Sequence, residues 1–258
     1  MLSIPVKSAL LLLILSAALP ALAEESDNAF SGFIGGGVGV KPKYSGAKKN
    51  DTTFLPAVRV NYGPFFIGGV DTLTAFGWQF AKTEHWTFAL GAGADLSPRH
   101  ESDDEYLRGM GDIKTSPRAF TSAIYRNDIL NAGLILSQDV GGNQQGFLLT
   151  TYANLSWRPW QDLRLFTGPS LSWADSDYMQ TQHGVSAQQS SRSGLARYDA
   201  GAGLEKMGWE VGADYDLTSS WRVSARVMAQ RLEGDAADSP LTQEKQQLSY
   251  ALLLAWRF

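Results

Sequence analysis

From Leu248 to the last residue, Phe258, the chain alternates without a break. Leu, Tyr, Leu, Leu, Trp and Phe occupy the even positions; Ser, Ala, Leu, Ala and Arg occupy the odd ones. A period of two puts one residue set on each face of a strand, here an apolar face and a small or polar one. A soluble sheet turns its apolar face into a core and rarely ends on an aromatic side chain. A tilted strand crossing a bilayer needs about 9–11 residues with aromatic side chains at its ends. Phe258 closes the chain in that way, with Tyr250 eight residues before it.

The same alternation recurs upstream. Phe30, Ile34, Val38 and Val40 share one parity, against Ser31, Gly35, Gly37 and Gly39. Phe54, Pro56, Val58, Val60 and Tyr62 oppose Arg59 and Asn61. Shorter runs follow at 65–70 and 75–81, then longer ones at 86–96, 119–125, 130–136, 147–157, 163–173, 209–217 and 221–230. Including the terminal run, this makes roughly twelve strands. The predicted fold is all-β: a transmembrane antiparallel up-and-down β-barrel with short periplasmic turns and long extracellular loops. Closure leaves no strand edge unpaired in lipid. The alternation of short and long connections requires 174–208 to be one polar excursion, although Arg197 to Leu204 alternates weakly within it.

The N-terminus supplies the compartment. Lys7 precedes the apolar run Ala9 to Leu19, and Ala21-Leu22-Ala23 is an A-x-A cleavage site, so residues 1–23 read as a signal peptide and 24–258 as the barrel. Without Lys7 the chain holds 21 basic against 26 acidic residues, a net charge of −5, which speaks against a nucleic-acid partner. The absence of Cys rules out disulfides and thiolate metal sites. With 8 Trp, 9 Tyr, 12 Phe and 26 Gly, the composition suits aromatic girdles outside and small residues inside.

By parity Arg59, Arg164, Arg222 and Arg226 face the lumen together with Asp95, Glu210 and Asp214. The plain interpretation is a network of mutually neutralising charges; the functional one is a weakly selective pore. Chemistry has few candidates. His85, His100 and His183 are the only histidines, and Ser97 with His100 and Glu101 or Asp103 is the one grouping that suggests a nucleophile and base. No Gly-x-Ser-x-Gly elbow accompanies it. The acidic runs at 102–105 and 175–177 suit solvated loops, or lipopolysaccharide bridged through divalent cations, better than a dedicated Ca²⁺ site. We therefore expect no enzyme, cofactor or resident metal.

The loops carry a further signal. Leu107-Arg108-Gly109-Met110-Gly111-Asp112-Ile113 follows the acidic Asp103-Asp104-Glu105; Tyr44-Ser45-Gly46 precedes Leu55-Pro56. Trp173-Ala174-Asp175-Ser176-Asp177-Tyr178-Met179 is followed by His183-Gly184-Val185, and Gly234-Asp235-Ala236-Ala237-Asp238-Ser239-Pro240 lies before the last strand. Together these resemble the MltA-interacting protein (MipA)/OmpV family over essentially the whole mature chain; His183 departs from the aromatic residue more usual there. The resemblance implies an outer-membrane barrel without enzymatic activity, embedded among lipid and lipopolysaccharide. It further implies a scaffold joining a lytic transglycosylase to a penicillin-binding protein for murein growth. The alternative is a pore permeable to small solutes or antibiotics.

Overall fold

The computed structural model describes residues 30–96 and 98–258. The expected signal peptide and Ser97 lie outside the described residues. Twelve antiparallel strands close into a barrel, each paired with its neighbours in sequence and the last with the first. They are β1 (Phe30–Pro42), β2 (Asn50–Tyr62), β3 (Phe65–Val70), β4 (Leu73–Lys82), β5 (Trp86–Ala94) and β6 (Pro117–Arg126), followed by β7 (Leu130–Asp139), β8 (Phe147–Trp160), β9 (Leu163–Ala174), β10 (Gly203–Asp216), β11 (Trp221–Leu232) and β12 (Gln246–Arg257). Among the described residues the loops hold two 3₁₀ turns, Glu101–Asp103 and Glu105–Leu107, and three short α-helices: α1 (Ser176–His183), α2 (Ala187–Ser193) and α3 (Gly234–Asp238).

The seam between β1 and β12 shows why the sequence folds this way. Phe33 opposes Arg257, and the register runs unbroken to Val40 opposite Tyr250. That register turns Tyr250, Leu252, Leu254 and Trp256 outward, and all four are exposed despite their size. Exposed apolar side chains around a whole wall cost dearly in water and nothing in hydrocarbon. Gly35, Gly37 and Gly39 face inward on the same seam. A Cβ on Gly37 would fall 1.9 Å from the Leu252 carbonyl oxygen, so the absence of a side chain permits the close approach.

The two rims differ. Five short turns, at 63–64, 83–85, 127–129, 161–162 and 217–220, share one rim with both ends of the strand array. The connections at 43–49, 95–116, 140–146, 175–202 and 233–245 share the other. One connection breaks the pattern: β3 and β4 are joined at the loop rim by Asp71 and Thr72 alone. This hairpin turns into the lumen, where the Thr150 hydroxyl of β8 donates to the Asp71 carboxylate at 2.9 Å. Phe66, Val70, Leu73, Ala75, Ala89, Phe120 and Ile135 fill that side of the interior, with Tyr152 against them.

The short hairpin leaves β2 unevenly supported. β2 pairs with β1 from end to end, but with β3 only from Arg59 to Tyr62. Among the described residues, 50–58 have a ladder partner on one side only. Pro56 lies in this stretch, which is where a residue without an N–H costs a sheet least.

Most strand limits differ from the sequence-based expectation by one to three residues, and two of the differences fall at register shifts. β10 begins at Gly203, not Trp209, so the excursion is 175–202. A register shift between Leu204 and Lys206 hides the strand's alternation. Likewise β8 runs on to Trp160 through a shift after Trp157, and the turn is Gln161-Asp162 rather than 158–162.

The orientation of β12 gives a direct test. Leu252→Arg places a charge on the lipid face and should destabilise the barrel in vesicles by about 2–4 kcal/mol if it lies at mid-bilayer. Gln230→Arg, on an inward position of β11, should cost far less in the same refolding titration.

Candidate functional site

Two assemblies stand out: the packed loops over one rim and the charged lumen beneath them. The loops are built around Glu101. Its carboxylate accepts the Gly109 N–H and the Gly111 N–H, each at 2.8 Å, while its own N–H donates to Asp112 Oδ1 at 2.7 Å. Gly109 and Gly111 adopt φ of 86° and 74°, a left-handed geometry that favours glycine. A Cβ on Gly109 would also lie 2.7 Å from the backbone of Arg192. The glycines of the motif thus aim two N–H groups at one carboxylate and let the end of α2 approach. Leu107 and Met110 turn inward from the same segment and are buried; Arg108 and Asp112 are exposed.

The remaining motif residues fasten the other loops. Asp175 caps α1 by accepting the Tyr178 N–H at 2.9 Å. Met179 is fully buried among Leu148, Ala174, Ala200, Leu232 and Ala236. Gly234 starts α3 with φ of 48°. The Asp235 carbonyl accepts from the Tyr198 hydroxyl at 3.0 Å, and its carboxylate accepts the Gly201 N–H at 2.6 Å. Asp238 pairs with Lys245 at 2.9 Å; the Ser239 hydroxyl donates to the His183 carbonyl at 2.5 Å. The Pro240 carbonyl accepts from the Tyr106 hydroxyl at 2.9 Å. Trp173 stands apart, facing outward on β9 in an edge contact with Phe147. A second cluster, Tyr44, Ala47, Leu107, Met110, Val185 and Leu241, joins four of the five long loops, with Tyr198 touching both clusters.

Of the grouping of Ser97 with His100, Glu101 and Asp103, the three described residues are engaged in this framework. Glu101 holds two backbone amides, Asp103 accepts the His100 N–H at 2.7 Å, and His100 Nδ1 lies 3.7 Å from Asp112. The acidic run at 102–105 supplies Asp104, whose carboxylate accepts the Tyr106 N–H and lies 3.9 Å from both Lys43 and Lys49. His183 is fully buried against Glu205 at 3.4 Å, and Glu205 reaches Lys206 at 3.5 Å. His85 lies against Tyr125 at the turn rim with the two rings tilted by 56°.

Inside the barrel the charges pair. Arg164 meets Asp214 at 2.5 Å, and Ser224 donates to the same carboxylate. Arg226 meets Glu210 at 3.1 Å, which also accepts from Asn154. Arg222 holds Asp216 through two contacts, at 2.6 and 2.9 Å, and Arg257 reaches Asp216 at 3.1 Å. Arg59 lies over the Phe66 ring at 3.8 Å and donates to Asn61. Asp95 is the first residue beyond β5, at the loop rim. Asp216 and Asn154 lie on the inward faces that strand parity assigns them, and Arg257 and Arg126 join the lumen set. Arg257 was visible on the odd face of the last strand, whereas Arg126 was hidden by its place at the edge of a turn.

Acid should loosen the loops before the wall. The Gly109 and Gly111 N–H groups hold the Glu101 carboxyl below its usual value, and the Glu101 N–H does the same for Asp112. A lowered folded-state value means the stabilisation is fully present above the ordinary carboxyl value near 4.5 and is lost progressively as pH falls from there through the lowered value. Limited proteolysis should show the 95–116 loop cut progressively faster as pH falls below 4.5 toward the lowered value, while the barrel stays intact. Gly109→Ala should give the same pattern at neutral pH; loops equally protected in the variant would refute the role given to that glycine.

Comparison with known proteins follows the same lines. The sequence pattern of the family described as MltA-interacting protein MipA matches residues 34–258. The MltA-interacting protein of Escherichia coli (strain K12) is 26% identical over 223 residues, covering 82% of this chain and 84% of that protein. The MltA-interacting protein of Shigella flexneri matches to the same extent. Among solved structures, an outer-membrane channel from Pseudomonas putida F1 covers 94% of this chain and 100% of its own, with a TM-score of 0.43 and 11% identity. The channel DcaP of Acinetobacter baumannii covers 89% of this chain and 96% of its own, with a TM-score of 0.42 and 8% identity. The chain is an integral outer-membrane β-barrel and belongs to the MltA-interacting protein (MipA) family.

Proposed function

We propose that this barrel is a non-enzymatic interaction protein that holds a lytic transglycosylase at the inner face of the outer membrane and brings a murein synthase of the penicillin-binding class beside it. The name of the Escherichia coli relative supports the first partner. The observation that carries the reading is the contrast between the two rims. Loops from four connections are packed into one another over the extracellular side. The periplasmic side has only short turns and leaves the lower lumen accessible. A protein built this way meets its partners from the periplasm.

The packed loops weigh against the alternative, a pore for small solutes or antibiotics. Tyr178 projects from them into the upper cavity, which it lines with Lys206, Tyr152 and Gln230. A conducting route would have to pass that residue, the apolar packing beside β3 and β4, and the ion pairs below.

Affinity capture from detergent-solubilised envelopes should recover a membrane-bound lytic transglycosylase, and a penicillin-binding protein with it, above an unrelated barrel used as control. Recovery of neither would overturn the proposal. Purified refolded protein should give no stepwise conductance in planar bilayers; steady steps would favour the pore.

A further inference from the structure

The periplasmic half of the lumen holds more positive charge than its own carboxylates neutralise. By register, Arg59, Arg126, Arg164, Arg222, Arg226 and Arg257 all project inward there. The facing carboxylates are Glu210, Asp214 and Asp216. These three are fully committed to Arg164, Arg222, Arg226 and Arg257. Among the described residues, neither Arg59 nor Arg126 has a carboxylate within ion-pair distance. Arg59 rests on the Phe66 ring and Asn61, while among the described residues the Arg126 side chain makes no hydrogen bond or ion pair and lies near Tyr152.

These two guanidinium groups share one cavity of about 310 Å³ with Gln79, Ser122 and Tyr152. Arg126 also lines the adjoining cavity of about 390 Å³. Both volumes fall in the range of small-ligand sites, about 300–1,000 Å³. The second cavity shows a further unmet demand. Among the described residues, Asn131 Oδ1 and Asn154 Oδ1 are buried acceptors without a donor, and Asn154 is only 8% exposed. A buried polar atom left unpaired is a standing cost that a ligand relieves. The site therefore lacks two things: carboxylates for the guanidinium forks, which bind them in paired hydrogen bonds, and N–H donors for the amide oxygens. A bare anion supplies only the first. A peptide with free carboxylates supplies both.

We propose that the periplasmic vestibule of this barrel is a binding site for a short acidic peptide, with Arg126 and Arg59 receiving its carboxylates and Asn131 and Asn154 accepting its backbone N–H groups. The peptide chemistry has two sources: a free fragment, or an acidic segment within a partner protein. The site does not depend on which partner the scaffold holds, so the two proposals fail separately.

The test is calorimetric titration of the refolded full chain in detergent with a tri-glutamate peptide carrying free ends. The same peptide embedded between neutral flanking residues is the second arm. Inorganic phosphate and tri-lysine are the comparison probes. Tri-glutamate should bind, more weakly as salt is raised, and better than phosphate; tri-lysine should not bind. Preference for the free peptide identifies fragments as the ligand, and preference for the embedded one identifies a protein segment. Arg126→Gln and Arg59→Gln should each weaken binding by about tenfold or more, while Arg108→Gln in the outer loops should leave it unchanged. Equal binding of phosphate and peptide, retention of affinity in Arg126→Gln, or no heat at millimolar peptide would each overturn the proposal. Should the variants misfold, protection of Arg126 from phenylglyoxal by tri-glutamate in the unaltered protein gives the same answer, and unprotected Arg126 refutes it.

Discussion

A backbone in hydrocarbon has no water to bond with, so each N–H and C=O of a membrane wall must find a partner in the wall itself. Everything else in this chain is arranged around that demand. The ladder runs through all twelve strands and closes where β1 meets β12, the register holding from Phe33 to Val40. Closure also decides which side chains are seen by lipid, because a slip of one residue would exchange the two faces. The inward glycines of β1 are part of the same solution: a side chain at Gly37 would push β12 away and open the seam.

One stretch strains the rule. Residues 50–58 of β2 carry a ladder on one side alone, because the β3–β4 hairpin stops short and turns inward. The hairpin instead spends its apolar face on the interior, with Phe66, Val70 and Leu73 packed against Phe120 and Ile135. The wall is thus lower on that side, and the lumen beside it is filled rather than hollow. Pro56 fits this setting, since a central strand would have missed its donor.

The wall was legible in the sequence because its period is imposed by the bilayer, strand after strand. What the sequence concealed has a physical reason in each case. The start of β10 was hidden because a bulge at Leu204–Lys206 breaks the period, and because Glu205 and Lys206 look like loop residues until His183 and each other are supplied as partners. The two-residue turn at Asp71 was hidden because nothing local says that a hairpin leans inward; only Thr150, far along the chain, does. The loop motif was visible as a pattern, yet its purpose was not. Leu107, Gly109, Gly111 and Met110 make sense only when Glu101, Arg192 and Leu241 are brought to them by the fold.

The two ends of the barrel are thereby given opposite characters by the same kind of interaction. At the extracellular rim the polar groups that matter find partners within the chain. Glu101 has its two amides, Asp175 its helix, Tyr198 its carbonyl, and the apolar residues between them exclude water. These contacts knit the loops to one another, although His183 Nδ1 and Arg99 Nε stay buried there without a partner among the described residues. At the periplasmic end the account is left open: guanidinium groups without carboxylates, amide oxygens without donors. Leaving such groups unpaired costs stability, and a wall held by so long a closed ladder can bear that cost. The interior of this barrel is asymmetric: apolar clusters tie the loops over one end, and unpaired guanidinium groups and amide oxygens line the other.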